Sequence, residues 1–196
     1  MRALWTIDLA FADVVSTTLT VQLGAIRLAW WRERLEELDT GVAPPAEPRL
    51  QSVAASLIPA GVTGAELSRL EYCWLALLSP FPWDDLVADA VAQRGRILFG
   101  IGARLLGREA AEGEPFGVVW SLADVATRCS DPESRTLLRD RAKAAIADLP
   151  QTPKGLLPLT MFVFRRAYEL EHGDRYGWHR LLWAVRSITL GKIPRS

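Results

Sequence analysis

Apolar residues in this chain recur with the period of an α-helix. Leu28, Trp31, Leu35 and Leu38 stand three, four and three positions apart, as do Leu67, Leu70, Trp74 and Leu77, and again Trp178, Leu181, Val185 and Ile188. Side chains spaced this way fall on one face of a helix, and that face needs another element to cover it. No stretch alternates apolar and polar residues between hairpin turns, so no sheet is expected. Composition agrees: Leu (29) and Ala (26) are both helix formers and together make 55 of the 196 residues. The expected architecture is all-α, a single helical bundle of about seven or eight helices spanning residues 1–196.

Local punctuation sets the boundaries. A helix is expected over 21–38, with Arg32, Glu33, Glu36 and Glu37 on its polar side. A Gly/Pro loop over 41–48 and a shorter helix over 49–57 follow. Thr63 with Glu66 fits a capping box, in which a hydroxyl and a carboxylate satisfy the first orphan N–H groups of a helix. That helix stops at Pro80-Phe81-Pro82. A long helix over 84–106 turns Val87, Val91, Leu98, Ile101 and Leu105 inward and ends at Gly107. Another covers 115–129. Ser130 to Glu133 opens the next, with Pro132 suited to the first turn and Leu138, Ala142, Ala145 and Leu149 on one face. Two last helices cover 156–171 and 175–190.

Several classes drop out. Uncharged runs of 16 (50–65), 13 (14–26) and 12 residues (72–83) all fall short of the roughly 20 that span a bilayer. The first residues, with Asp8 among them, do not read as a secretory signal. Cys73 and Cys129 are the only cysteines, each in an apolar helical stretch, and neither belongs to a Cys-x-x-Cys pair. A reducing cytoplasm is the expected location. Lys+Arg and Asp+Glu are 23 each, which argues against a nucleic-acid partner. The balance is uneven along the chain, net −4 over residues 1–100 and net +4 over 101–196. Arg outnumbers Lys 20 to 3, so no single Arg is taken as a signal by itself.

Few side chains suggest chemistry directly. Asp85 and Asp89 lie one helical turn apart and could hold Mg²⁺. A start-of-helix role for the cluster from Asp84, capping and favouring the dipole, is the expected one. His172 and His179 flank the Gly173 loop and read as solvated histidines. No phosphate-loop, dinucleotide or nucleophile-elbow motif is present. Gly100-Ile101-Gly102 reads as close helix packing. Asp124 and Arg128, one turn apart on an apolar helix, could line an internal pocket or form a surface pair. Eight tryptophans could fill a core or line an apolar cavity. The C-terminal segment mixes Arg with Tyr168, Tyr176, Trp178 and Trp183. It reads as an amphipathic face, and at most as a peripheral membrane contact.

The stretch Ile26-Arg27-Leu28-Ala29-Trp30-Trp31-Arg32 through Leu35 resembles the squalene/phytoene synthase family, whose bacterial members carry Ile-Arg-Leu-x-Trp-Trp-Arg-x-x-Leu on an early helix. The segments 81–86, 94–107 and 117–128 are similar to the family's long helix and its following helix ending in Arg. The resemblance covers most of the chain in order. It implies a terpenoid-synthase-like bundle around a central cavity. It also implies enzymes that join two prenyl diphosphates in isoprenoid biosynthesis, with two aspartate motifs on facing helices holding Mg²⁺. Metal and cationic side chains would neutralise the diphosphate leaving group.

The chain departs from that pattern at both motifs. Before the Trp-Trp element Asp8 and Asp13 stand five apart, off a common face, and the two aspartate positions align with Ala12 and Ser16. On the later helix Asp124 stands without the second aspartate. The family's opening helix is expected to be missing. The expectation is a catalytically degenerate member, a pseudoenzyme that binds an isoprenoid or other lipid or serves as an assembly or partner protein. The resemblance allows the second role because some degenerate relatives assemble respiratory complexes. The pocket-lining candidates are Asp8, Asp13, Arg27, Trp31, Asp124 and Arg128. No catalytic residue, metal ligand or cofactor is assigned. The alternative is an active Mg²⁺-dependent prenyl transferase with rearranged carboxylates, and a third reading is a plain helical interaction module.

Overall fold

The computed structural model of the protein describes residues 1–172, and they are all-helical. Nine α-helices and three short 3-10 turns account for the regular structure, with no strand among the described residues. The chain divides into two compact units, Met1–Pro80 and the residues from Phe81 onward.

The first unit holds α1 (Arg2–Thr17), α2 (Val21–Glu37), α3 (Pro48–Ser56), α4 (Gly64–Ser68) and α5 (Leu70–Ala76). The Thr20 hydroxyl caps α2 by accepting from the Leu23 N–H, and Leu28, Trp31, Leu35 and Leu38 are all buried, as their spacing requires. Helix α1 packs on α3 and α5 through a buried stripe of Leu4, Ile7, Phe11 and Val14. The Thr63–Glu66 capping box forms. The helix it opens is shorter than expected and breaks at Arg69 into α4 and α5. At the break the Ser68 hydroxyl donates to the Ala65 carbonyl and to Glu36, a local bond that competes with the helical ladder. Leu67, Leu70 and Trp74 stay buried across it. Gly64 permits the close approach of α4 to α2: a Cβ there would lie 1.8 Å from the Leu35 carbonyl oxygen.

The second unit holds α6 (Asp85–Leu105), α7 (Ala110–Arg128), α8 (Pro132–Ala147) and α9 (Leu157–His172). Asp84 caps α6 by accepting from the Val87 N–H, and Gly107 follows its end with φ of 72°, in the left-handed region. Helix α7 starts five residues before the expected 115. A Glu109–Glu112 capping box opens it, and Pro115 sits inside the helix rather than in its first turn. Helices α6 and α7 touch backbone to backbone. A Cβ on Gly95 would lie 2.0 Å from the Gly117 carbonyl oxygen, and one on Gly117 would lie 2.1 Å from that of Gly95. The expected close packing is seen at Gly102 against Leu159 of α9 and at Gly100 against Glu114 and Ala110 of α7. Leu98, Phe99, Phe116, Val119, Leu138, Val163 and Phe164 form the core around this crossing.

Trp31, Trp74 and Trp120 are buried within their own units, and Trp30 is exposed. Both cysteines are buried and neither is in a disulfide, Cys73 in α5 and Cys129 just past the last residue of α7. Among the described residues no helix is long and apolar enough to cross a membrane. His172, the last described residue, is helical in α9 instead of standing in a loop. The helix expected over 175–190, with His179 and the basic-aromatic C-terminal segment, lies outside the described residues.

Candidate functional site

The Gly95–Gly117 contact places Arg94 of α6 directly against the inner face of α7. Arg94 Nη1 donates to Ser121 Oγ at 3.3 Å and pairs with Asp124 Oδ2 at 3.4 Å, while its guanidinium carbon lies 4.6 Å from the centre of the Trp120 ring. Cation over ring is a favourable arrangement where water is excluded, and both Arg94 and Asp124 are buried. Asp124 Oδ1 accepts from two more guanidinium groups, Arg166 of α9 at 2.7 Å and Arg128 at 3.2 Å. One buried carboxylate thus ties three helices together.

The network continues along α9. Arg166 also donates to Glu169 Oε2 at 2.6 Å, and Arg165 to Glu169 Oε1 at 3.0 Å. Burial by itself would push the Glu169 carboxyl up, but the bonds from Arg165 and Arg166 outweigh it and hold the group below the usual carboxylate range. Counted over these side chains, four guanidinium groups face two carboxylates.

Beside this network opens a cleft of about 480 Å³. Its charged lining comes from three helices: Arg128 of α7, Arg135 and Arg139 of α8, Arg166 and Glu169 of α9. Arg135 bridges the end of α7, donating to the carbonyls of Cys129 and Ser130, each at 3.0 Å. Arg139 donates to the Leu170 carbonyl at 2.6 Å. The Arg135 bonds cover carbonyl groups at the end of α7, where the dipole is negative. Cys129, at the same junction, has its thiol pushed up chiefly by burial. Asp131 caps α8 through the Ser134 N–H and hydroxyl, and the Ser134 side-chain bond leads in holding its carboxyl low.

The sequence-predicted residues separate. Asp124 and Arg128 meet, and Asp124 is the buried member of the pair. Asp8, Asp13, Arg27 and Trp31 belong to the first unit. There Asp8 is buried and accepts from the Trp74 indole N–H at 2.9 Å. Trp31 is buried beside Phe11, with ring centres 6.2 Å apart, and meets Trp30 edge-on. Asp13 lies on the surface paired with Arg49 at 2.6 Å, and Arg27 is exposed, donating to Thr17 Oγ1 at 3.2 Å. Asp85 and Asp89 both pair with Arg141 of α8.

Sequence reasoning passed over Arg94, Arg135, Arg139 and Arg166. Only Arg166 carried a local signal, its three-residue spacing from Glu169. The other three converge through tertiary packing. Among the described residues no group of three or more His, Cys, Asp or Glu side chains comes close enough to hold a metal ion. Asp124 is a poor donor for Mg²⁺ as it stands, since both of its oxygens already accept from guanidinium groups and a divalent cation needs several oxygen ligands. Comparison of the chain with family models, with curated proteins and with solved structures gives no match.

Proposed function

We propose that this chain is a catalytically degenerate relative of the squalene/phytoene synthases, which binds an isoprenoid or other lipid, or serves as an assembly or partner protein, without prenyl transfer. The observation that carries this reading is the state of Asp124. It is the one aspartate on the helix where the resemblance puts the second metal motif, and its oxygens are spent on Arg94, Arg128 and Arg166. Asp8, on the helix where the first motif belongs, is likewise buried and accepts from Trp74. Carboxylates held by cations and an indole inside the protein act as structural anchors. Two buried cysteines, neither in a disulfide, suit a cytoplasmic location.

The test is incubation with farnesyl diphosphate and Mg²⁺, following diphosphate release and thermal unfolding together. No release above the protein-free rate is expected. A bound isoprenoid at 100 times its Kd adds about 2.7 kcal/mol, or roughly 5–10 °C for a domain of this size, with or without Mg²⁺. Release that requires Mg²⁺ and is lost in Asp124→Ala would establish the active transferase instead. Absence of both release and shift would leave the partner-protein role.

A further inference from the structure

The cleft beside Asp124 holds more positive charge than its structural duties need. Arg128, Arg135, Arg139 and Arg166 line it, and among the described residues that line it Glu169 is the one carboxylate. Glu169 is already engaged by Arg165 and Arg166. Covering the carbonyls of Cys129, Ser130 and Leu170 uses two N–H groups of Arg135 and one of Arg139. A guanidinium carries five. Arg128 gives one to Asp124. These bonds explain the placement of each stem, but the convergence on one concavity still leaves the four guanidinium groups in excess of the carboxylates near them among the described residues, Asp124, Asp131 and Glu169. Convergence of that kind is costly without a counter-charge and favourable with one.

We propose that this cleft binds a phosphate-type dianion, carried by a small molecule or by a lipid headgroup, and does so without a metal. The guanidinium fork matches the spacing of phosphate oxygens and can bind them two at a time. The bonds of Arg135 and Arg139 to main-chain carbonyls fix their stems before the ligand arrives, so less side-chain freedom is lost on binding. Arg166, anchored on Asp124 and Glu169, forms the rigid wall, and the more exposed Arg128 closes from the solvent side. The volume, about 480 Å³, holds a phosphate with part of the group that bears it. This deepens the binding reading above and rests on it, by naming the polar end of the ligand.

The experiment is calorimetric titration of the full chain with inorganic pyrophosphate in EDTA at low salt, with a parallel flotation assay on vesicles of phosphatidylcholine with and without phosphatidic acid. Saturable binding is expected in at least one arm. A free phosphate compound as ligand gives binding in the titration alone, and a headgroup gives flotation that needs phosphatidic acid. Arg128→Gln with Arg139→Gln weakens either by at least about tenfold, the loss expected for removing charge-assisted hydrogen bonds. Arg128→Gln alone removes no bond to a backbone carbonyl, so it weakens binding in a protein that melts normally. Arg141→Gln, whose partners are Asp85 and Asp89, leaves binding unchanged. No binding in either arm, or equal loss in Arg141→Gln and Arg128→Gln, overturns the proposal. Because the readout is binding in EDTA, it can fail while the absence of prenyl transfer stands, and the reverse.

Discussion

Replacing Asp124 with Asn keeps the shape of the side chain and removes one charge from the centre of the second unit. The three cations it holds are not equally exposed. Arg94 is 4% exposed at its side chain, Arg166 21% and Arg128 66%. Arg128 loses little, because a largely solvated pair is worth about 0–1 kcal/mol. Arg166 keeps Glu169. Arg94 is left buried with the Ser121 hydroxyl and the Trp120 ring. Breaking a buried pair by removing one partner costs about 3–5 kcal/mol. The ring and hydroxyl contacts that Arg94 retains place Asp124→Asn near the lower end, about 3 kcal/mol. For a chain of this length that is roughly 6–12 °C in Tm. The control is Asp13→Asn, which also removes an ion pair, at 2.6 Å to Arg49, but on the surface. It is expected to cost under about 1 kcal/mol. Urea unfolding followed by circular dichroism measures both. A loss below about 1 kcal/mol for Asp124→Asn, or equal losses for the two variants, would refute the assignment of Asp124 as the buried anchor.

Two further outcomes are expected. Gly95→Ala puts a methyl group 2.0 Å from the Gly117 carbonyl oxygen, so α6 and α7 must separate; the overpacking penalty of about 1–3 kcal/mol outweighs the better helix propensity of Ala, and a thermal melt unchanged from the parent would contradict the backbone contact. Glu169 is held below its ordinary value of 4.5, so it stabilises the fold above that pH and the contribution is lost as pH falls through its lower folded value. The stability difference between the parent and Glu169→Gln should therefore be largest near neutral pH and shrink below about pH 4.5; a difference that grows on acidification would show the sign to be wrong.

Much of the local structure was legible because its causes are local. The 3-4-3 spacing of Leu28, Trp31, Leu35 and Leu38, the Thr63–Glu66 box, the Asp84 cap and the Gly107 stop each act within one or two turns, and each occurs where the residues place it. The start of α7 was misplaced because Pro115 reads as a first-turn residue, whereas the Glu109–Glu112 box had already opened the helix. The break between α4 and α5 escaped notice because apolar spacing continues straight through it.

The candidate site was only half legible. Asp124 and Arg128 declare themselves as neighbours four residues apart, and the chain alone leaves them equally suited to a surface and to an interior. What buries Asp124 is the approach of α6 and α9, which brings Arg94 and Arg166 from 30 and 42 residues away. Helical periodicity and capping follow from bonds between residues three and four apart, so the sequence determined the all-α character and most helix limits by itself. The convergence of four arginines on one cleft depends on which faces of α7, α8 and α9 meet, and that was decided by tertiary packing alone.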